Sequence, residues 1–551
     1  MIRVQLTLLW QFPQSPLFLL PVPDGIYLRV FFSSQALPRI LIPFIHDRGS
    51  QYGTNVTPPG EPEPKGQKLV VEFSSPNIGE EFGGKHLRST IVGSYIANAY
   101  EKAGWNVTRL NYLGDWGKQI GLLAAGWTRF GSDELFAEDP LRHLLDVYNQ
   151  IEELFRPEME ASRKARDEGK DTAEIESRDL YAERDAFFKK MEDGDPEALA
   201  LWKKFRDVSI EQYKKLYSSL NVTFDEYLGE SQVSPEIVAE VEQLLKDKGV
   251  YEESEGSWLV DFKKHGHKAL GMGIMRFRTG STTYLLRDIA SLIERDRKYS
   301  FDKMIYVVTA DQDTHFNRIF TALSLMGLQD LASRVQHIGF AKVLGLAGPA
   351  ATPAGGRGLL LSDIIDQAHS AVREAVKAQD PDAYEIMQQT NPHVTDQMGI
   401  FSMLVQELSI RRTTNSHFDL QKMVGLDINS GARLQGWYSR LCSKLATSAT
   451  SSSSADLGTL DYSSIEPDEY VDLLRVLAQF PEVTQESFRN LESSVLLLYL
   501  FRIVDQLSYI LPDDEDELNI QLTPAQLVLF ECVRHVLDNG MSLIGLHPIS
   551  S

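Results

Sequence analysis

The sequence predicts an α/β chain that opens with a parallel sheet, carries a helical insertion and ends in a helical domain. Three observations support this prediction. The β-branched runs KLVVEF and KMIYVVTA are typical of buried strands. Residues 141–248 are rich in Glu, Lys and Arg at helical spacing, and the chain after Asp363 is mostly helical in pattern. At roughly 100–200 residues per domain, 551 residues indicate about three units.

Composition excludes several classes of protein. Lys plus Arg is 55 and Asp plus Glu is 77, which gives a net charge of −22 and excludes a globally basic nucleic-acid binder. The two cysteines, Cys442 and Cys532, exclude a disulfide scaffold and a CxxC zinc or redox site. A reduced, cytoplasmic location is therefore predicted, and no metal site is.

The N-terminal segment looks like a leader followed by a linker. Residues 4–23 carry no charge but contain four prolines, which would break a membrane-spanning helix. We therefore predict no membrane partner. Residues 57–67 are rich in Pro, Gly and Glu, as expected at a boundary, so residues 1–66 are assigned to the leader and a remnant linker.

Residues 67–115 have the order expected of a nucleotide-binding sheet. KLVVEF is followed by a glycine-rich turn, the helical pattern STIVGSYIANAYEKAG and the strand-like WNVTRLNYLGD. Parallel sheets built in this way bind ligands at the carboxyl ends of their strands. The predicted domains are a catalytic unit at 67–360, with its insertion at about 141–248, and a helical unit at 361–551.

Several long segments of the sequence resemble one enzyme family. The block VEFSSPNIGEEFGGKHLRSTIVGSYIANAYEKAGWNVTRLNYLGDWGKQIG is very similar to the catalytic core of eukaryotic arginyl-tRNA synthetases. The resemblance continues in the same order through four later segments, which are YLGESQVS, TTYLLRDIA, FDKMIYVVTADQD and the terminal VRHVLDNGMSLIGLHP. The resemblance implies a class I synthetase-like Rossmann fold, followed by an all-α anticodon-binding-like domain.

The resemblance also implies an arginine pocket. The family's arginine-reading positions map to Glu72, Asn77, Tyr284, Asp288 and Gln312. A guanidinium presents five donors in a rigid fork and prefers carboxylate partners, so Asp288 suits it. Tyr284 and Asp288 are four residues apart, so they share one face of a helix. We expect Glu72 to meet the α-ammonium of arginine.

Two signatures of class I synthetases depart from the family pattern. The His-x-Gly-His element aligns with Gly83-Gly84-Lys85-His86, which keeps one histidine. The Lys-Met-Ser-Lys-Ser-like loop aligns with LGLAGPAATPAGGRGLLL, in which Arg357 is the one cation. From these losses we expect that ATP is not used.

An arginine pocket without ATP chemistry resembles the fungal arginine-containing cyclodipeptide synthases. That resemblance implies an aminoacyltransferase of secondary metabolism, which takes arginyl-tRNA and a second aminoacyl-tRNA and releases a cyclo(Arg-Xaa) diketopiperazine. Two alternatives remain open: a divergent arginine–tRNA ligase, and a non-catalytic synthetase paralogue. The oligomeric state is not predicted.

Candidate catalytic and tRNA-binding residues follow from the same resemblance. A DDxxE element matches Asp513, Asp514 and Glu517, which alternatively form a solvated loop. His86 and His315 are the other candidate bases, and His315 is the one more typical of a structural role. The candidate tRNA contacts are Ser231, Gln232, Leu244, Leu245, Arg433 and Arg440. Trp437 and Tyr438, beside the last two, suit either base stacking or a helix core.

Overall fold

The computed structural model describes most of the chain in two compact units. The described residues are 15–54, 66–80, 82–278, 280–344, 360–425, 429–448, 456–511 and 521–549. One unit comprises Pro64–Ala371 and Ile410–Leu420, and the other comprises Met1–Glu63, Val372–Ser409 and Gln421–Ser551. The strand that ends at His417 therefore belongs to the unit of the sheet, although it follows the first helices of the C-terminal region in sequence.

The predicted fold class is confirmed by a five-stranded parallel sheet. The strands of the chain are β1 Val22–Asp24, β2 Tyr27–Arg29, β3 Lys68–Phe73, β4 Asn106–Leu113, β5 Glu226–Gly229, β6 Glu252–Ser254, β7 Ser257–Asp261, β8 Met272–Arg276, β9 Lys303–Thr309, β10 Val335–Phe340, β11 Val343–Leu344 and β12 Ser416–His417. The main sheet has the order β10-β9-β3-β4-β5, with every neighbouring pair parallel. Chain order reverses direction between β3 and β9, and open sheets of this kind bind ligands at such a switch point.

Helices cover the sheet and form the insertion. Helix α1 Ala36–Arg48 belongs to the other unit. The helices of the unit that contains the sheet are α2 Gly84–Lys102, α3 Lys118–Phe130, α4 Asp133–Glu138, α5 Pro140–Asp167, α6 Ala173–Glu176, α7 Asp179–Glu192, α8 Pro196–Ser219, α9 Pro235–Asp247, α10 Tyr284–Tyr299, α11 Asp313–Leu325, α12 Gln329–Ser333 and α13 Leu361–Gln379, the last of which crosses the boundary between the two units. Helices α4 to α8 lie between β4 and β5, where the charge-rich region was predicted to be an insertion.

The helical unit continues to the end of the described chain. Its helices are α14 Pro381–Thr390, α15 Val394–Leu408, α16 Leu420–Val424, α17 Gly431–Ser448, α18 Asp468–Ala478, α19 Phe480–Asn490, α20 Ser493–Ile510 and α21 Pro524–Leu543. Helix α20 is long and apolar enough to cross a membrane by length and composition alone. Leu497, Leu500 and Val504 on this helix are fully buried in the core of the unit.

Many helices begin where the sequence supplies a cap followed by proline. The Asp195 carboxylate accepts hydrogen bonds from the amides of Glu197 and Ala198, directly before Pro196. Asp139 caps α5 and Ser234 caps α9 in the same way, each before a proline. Proline suits the first helical position because its missing N–H has no intrahelical partner there.

Asp115 connects the insertion to the end of β4. Its carboxylate is fully buried and lies 2.7 Å from Nε of Arg206 in α8. The backbone N–H and the hydroxyl of Ser231 donate to the same carboxylate, at 2.9 and 2.7 Å. The indole of Trp202 donates to the Asp115 carbonyl at 2.7 Å. One buried carboxylate therefore connects the sheet, the insertion and the segment after β5.

Candidate active site

The five residues predicted to read arginine line one cavity. Its volume is about 440 Å³, and it lies at the carboxyl ends of β3 and β9, at the switch point of the sheet. Its lining includes Glu72, Asn77, Tyr284, Asp288 and Gln312, together with His86 and His315. The helical spacing of Tyr284 and Asp288 is as predicted, because both belong to α10.

Glu72 is already paired inside the protein. Arg295 Nη1 lies 2.5 Å from Glu72 Oε2, and the two side chains are 4% and 7% exposed. Burial raises the pKa of Glu72 to about 7, while the positive charge of Arg295 acts in the opposite direction. The Arg295 guanidinium also lies 4.4 Å from the ring centroid of Tyr112. The carboxylate expected to meet the α-ammonium of arginine therefore already has one cationic partner.

A second carboxylate of the cavity, Glu230, is paired in the same manner. Arg287 donates to its Oε2 through both Nε and Nη2, at 2.9 and 2.5 Å. Burial raises the pKa of Glu230 to about 7, and the nearby Arg287 opposes that shift. Sequence reasoning missed Glu230, Arg287 and Arg295. Arg295 follows Asp288 by seven residues, so the helical periodicity of α10 was a signal that could have found it.

The third carboxylate, Asp288, has a different kind of partner. Its Oδ2 lies 2.7 Å from Nε2 of His315, near the start of α11. The Asp288 side chain is 27% exposed, far more than that of Glu72. Among the described residues that line the cavity, Asp288 is therefore the carboxylate without a guanidinium partner.

The first turn of α2 faces the same cavity. The backbone N–H of Gly83 donates to Nδ1 of the buried His86 at 3.2 Å. Burial, followed by the charge of Lys85, lowers the pKa of His86 well below its usual value, so its imidazole is neutral. Lys85 itself is exposed and lines the cavity. Helix N-termini with nearby cations attract phosphate groups.

The candidate tRNA contacts are dispersed. Ser231 is bonded to Asp115, whereas Gln232 lines a second cavity of about 250 Å³ that shares Tyr112, Ser291 and Arg295 with the first. Leu245 is fully buried, and Leu244 packs against the same core. Their part in tRNA binding stays a prediction.

The basic candidates in α17 have partners within the helical unit. Arg433 pairs with Asp505 at 2.5 Å, and the guanidinium of Arg440 lies 4.8 Å from the Trp437 ring. Trp437 is buried in the helical unit, whereas Tyr438 is half-buried and its hydroxyl donates to Asp538 at 2.7 Å. The acidic candidates Asp513, Asp514 and Glu517, and Arg357, lie outside the described residues.

The sheet topology and the cavity at its switch point define the chain as a class I aminoacyl-tRNA synthetase in fold. The family model for the catalytic domain of class I (R) tRNA synthetases matches residues 58–420, and that for the DALR anticodon binding domain matches residues 434–551. The chain belongs to the arginyl-tRNA synthetase family.

Individual relatives and solved structures agree with this assignment. The chain is 38% identical to the probable cytoplasmic arginine–tRNA ligase of Schizosaccharomyces pombe, over 96% of this chain and 83% of that protein. It is 36% identical to the cytoplasmic arginine–tRNA ligase of Saccharomyces cerevisiae, over 96% and 82%. The arginyl-tRNA synthetase structures of Plasmodium falciparum and Thermus thermophilus superpose with TM-scores of 0.70 and 0.69. These two structures share 20% and 18% sequence identity with the chain. The matches cover 98% and 99% of this chain, and 87% and 91% of the other chains.

These findings overturn the predicted cyclodipeptide synthase. Relatives that match nearly the whole chain are arginine–tRNA ligases, so the assignment to an aminoacyltransferase of secondary metabolism is wrong. The expectation that ATP is not used is wrong as well, because class I synthetases activate their amino acid with ATP. The physical error was to interpret Lys85 as an obstruction, whereas its exposed ammonium lines the cavity beside a helix N-terminus, where a cation attracts phosphate groups.

Proposed function

We propose that the chain is an arginine–tRNA ligase, which activates arginine with ATP and transfers it to tRNA. One observation carries this proposal. Of the three carboxylates among the described lining residues, Glu72 and Glu230 each have a guanidinium partner, while Asp288 has only an imidazole. A substrate with a positively charged end group is therefore attracted to Asp288, and arginine supplies that group.

The other residues of the cavity suit the remaining parts of arginine. Tyr284 and Gln312 add a hydroxyl and an amide beside Asp288, for the outer donors of the guanidinium fork. Glu72 and Asn77 lie on the other side of the switch point, where they suit the α-ammonium. The α-ammonium of arginine is then a second cation beside Glu72, in addition to Arg295. It favours the ionised form of Glu72 and so offsets the rise in pKa that burial causes.

ATP fits at the start of α2. When bound, the nucleotide supplies an α-phosphorus for attack by the arginine carboxylate, with pyrophosphate as the leaving group. Backbone amides of the first turn of α2 and the ammonium of Lys85 are the groups of this chain that would hold its phosphates. The neutral His86 keeps that turn closed through its bond to Gly83.

The proposed product is arginyl-tRNA. After activation, a hydroxyl of the terminal tRNA ribose attacks the carbonyl carbon of the arginyl-adenylate. The ester to tRNA forms as the bond from that carbon to the phosphate oxygen breaks, and AMP leaves. Relatives of the chain include both cytoplasmic and mitochondrial ligases, so their names do not select a compartment. The cytoplasmic location stays a prediction from cysteine content.

Two assays on the purified chain test this function. We expect arginine-dependent exchange of labelled pyrophosphate into ATP when tRNA is present, and acid-precipitable labelled arginine on tRNA. Lysine in place of arginine should support neither reaction. Binding of arginine without exchange and without charging would contradict the proposal and indicate a non-catalytic paralogue.

A further inference from the structure

We propose that His315 is a positioning residue of the arginine site, which holds the Asp288 carboxylate so that its second oxygen faces the guanidinium. This inference rests on the proposed function, because it assigns Asp288 to substrate arginine. It adds a residue of α11 to a pocket whose proposed guanidinium-binding carboxylate, Asp288, lies on α10.

The contact joins two helices across the wall of the cavity. The distance from His315 Nε2 to Asp288 Oδ2 is 2.7 Å, and because the acceptor is a carboxylate, Nε2 carries the hydrogen. Both side chains line the 440 Å³ cavity. In the part of the chain that the structure describes, no other side chain is hydrogen-bonded or ion-paired to Asp288. The imidazole is therefore the group that sets the orientation of this carboxylate.

Packing holds the imidazole in place. Its ring centroid lies 4.9 Å from that of Tyr284 and 5.4 Å from that of Phe316, and the side chain is only 12% exposed. Tyr284 also belongs to the proposed pocket, so the same imidazole contacts two of its members. A ring fixed on two sides can fix a carboxylate in turn, and such pre-organisation reduces the entropy lost on binding.

The chemistry of the imidazole explains why the partner of Asp288 is a histidine and not an arginine. Arg295 and Arg287 neutralise Glu72 and Glu230 through permanent charges. An arginine beside Asp288 would neutralise this carboxylate as well and would compete with the substrate guanidinium for its oxygens. An imidazole donates a single hydrogen bond to Oδ2 and leaves Oδ1 for the guanidinium.

Two substitutions of His315 separate positioning from packing. H315L keeps an apolar side chain against Tyr284 and Phe316 but has no donor, whereas H315Q keeps an N–H at about the reach of Nε2. Exposed His417 provides a matched control, H417Q. Arginine-dependent pyrophosphate exchange with tRNA present gives kcat and KM for arginine and for ATP. Calorimetry gives the Kd for arginine, and melting temperatures check folding.

For H315L we expect KM and Kd for arginine to rise about tenfold, the factor that corresponds to about 1.4 kcal/mol. KM for ATP and kcat should stay within about twofold of the unsubstituted chain. H315Q should recover most of the arginine affinity, and H417Q should change nothing. Unchanged affinity for arginine in a folded H315L would overturn the inference, as would an equal loss in H315L and H315Q.

Failure of the proposed function gives a different pattern. If the unsubstituted chain binds arginine but shows no exchange, the ligase activity is contradicted, and the Kd values of the variants still test His315. If the unsubstituted chain binds no arginine at all, both proposals fall together.

Discussion

Arg295 Nη1 lies 2.5 Å from Glu72 Oε2, and both side chains are almost completely withdrawn from solvent in the wall of the 440 Å³ cavity. The pair connects α10 to the end of the central strand β3. It therefore contributes to the stability of the unit as well as to the charge of the cavity.

We expect removal of one member of this pair to destabilise the sheet-containing unit. E72Q leaves a guanidinium buried without a counter-charge, which typically costs about 3–5 kcal/mol. Its melting transition, followed by calorimetry, should fall by several degrees. The double variant E72Q/R295M removes both charges and should melt closer to the unsubstituted chain than E72Q does. Equal melting of E72Q and the unsubstituted chain would refute the prediction.

Asp288 is expected to control arginine affinity. D288N keeps the size of the side chain but removes the charge that meets the guanidinium, so KM for arginine should rise roughly 10- to 100-fold. KM for ATP should change little in the same exchange assay. E253Q, at an exposed position of β6, is the control for loss of one negative charge. The prediction fails if D288N and E253Q behave alike.

His86 is expected to make stability depend on pH. Its pKa in the folded state is well below the usual 6.5, so the unfolded chain binds more protons at mildly acidic pH. The contribution of His86 to the free energy of unfolding is complete above pH 6.5. Below that pH it falls by about 1.4 kcal/mol per pH unit, until the pKa of the folded state is reached. H86Q retains an acceptor for the Gly83 N–H but does not titrate.

The test of His86 compares how the melting temperature changes with pH in the unsubstituted chain and in H86Q. Glu72 and Glu230 have raised pKa values, so their contribution to stability changes in the opposite direction on acidification. Melting temperatures at pH 7.5 and 5.5 should therefore drop more for the unsubstituted chain than for H86Q. Parallel drops in the two chains would show that His86 is not the group responsible.

A glycine in α2 is required by packing. A Cβ added to Gly93 would lie 2.2 Å from Cγ of the buried Phe73 in β3, so G93A should destabilise by about 1–3 kcal/mol. Gly436 in α17 has nothing within 4 Å of the added atom, so G436A should stabilise by roughly 0.5–1 kcal/mol. Opposite shifts in melting temperature are expected, and a stabilising G93A would contradict the packing argument.

The parallel sheet, and the five residues that line one cavity, could be predicted because their signals are local or lie in recognisable sequence segments. KLVVEF forms β3, and the spacing of Tyr284 and Asp288 places both on one face of α10. The pairing of Glu72 with Arg295 could not be predicted in this way. It depends on where α10 packs against the end of β3, and the two residues are far apart in sequence.

The error about ATP has a physical origin as well. Substitutions at Gly83 and Lys85 change side chains, whereas the first turn of a helix attracts phosphate mainly through backbone amides. Reading two short signatures as the loss of a reaction gave too much weight to those side chains. Similarity to arginine–tRNA ligases along the whole chain depends instead on the fold that holds these backbone amides in place.

The ion pair and hydrogen bonds of Asp115 connect the helical insertion to the wall of the cavity. Arg206 holds the insertion to Asp115, Ser231 bonds to the same carboxylate, and the residue before Ser231 is Glu230, which lines the cavity. A substitution at Asp115 would therefore loosen the insertion and the wall of the cavity together, because both are bonded to this one buried carboxylate.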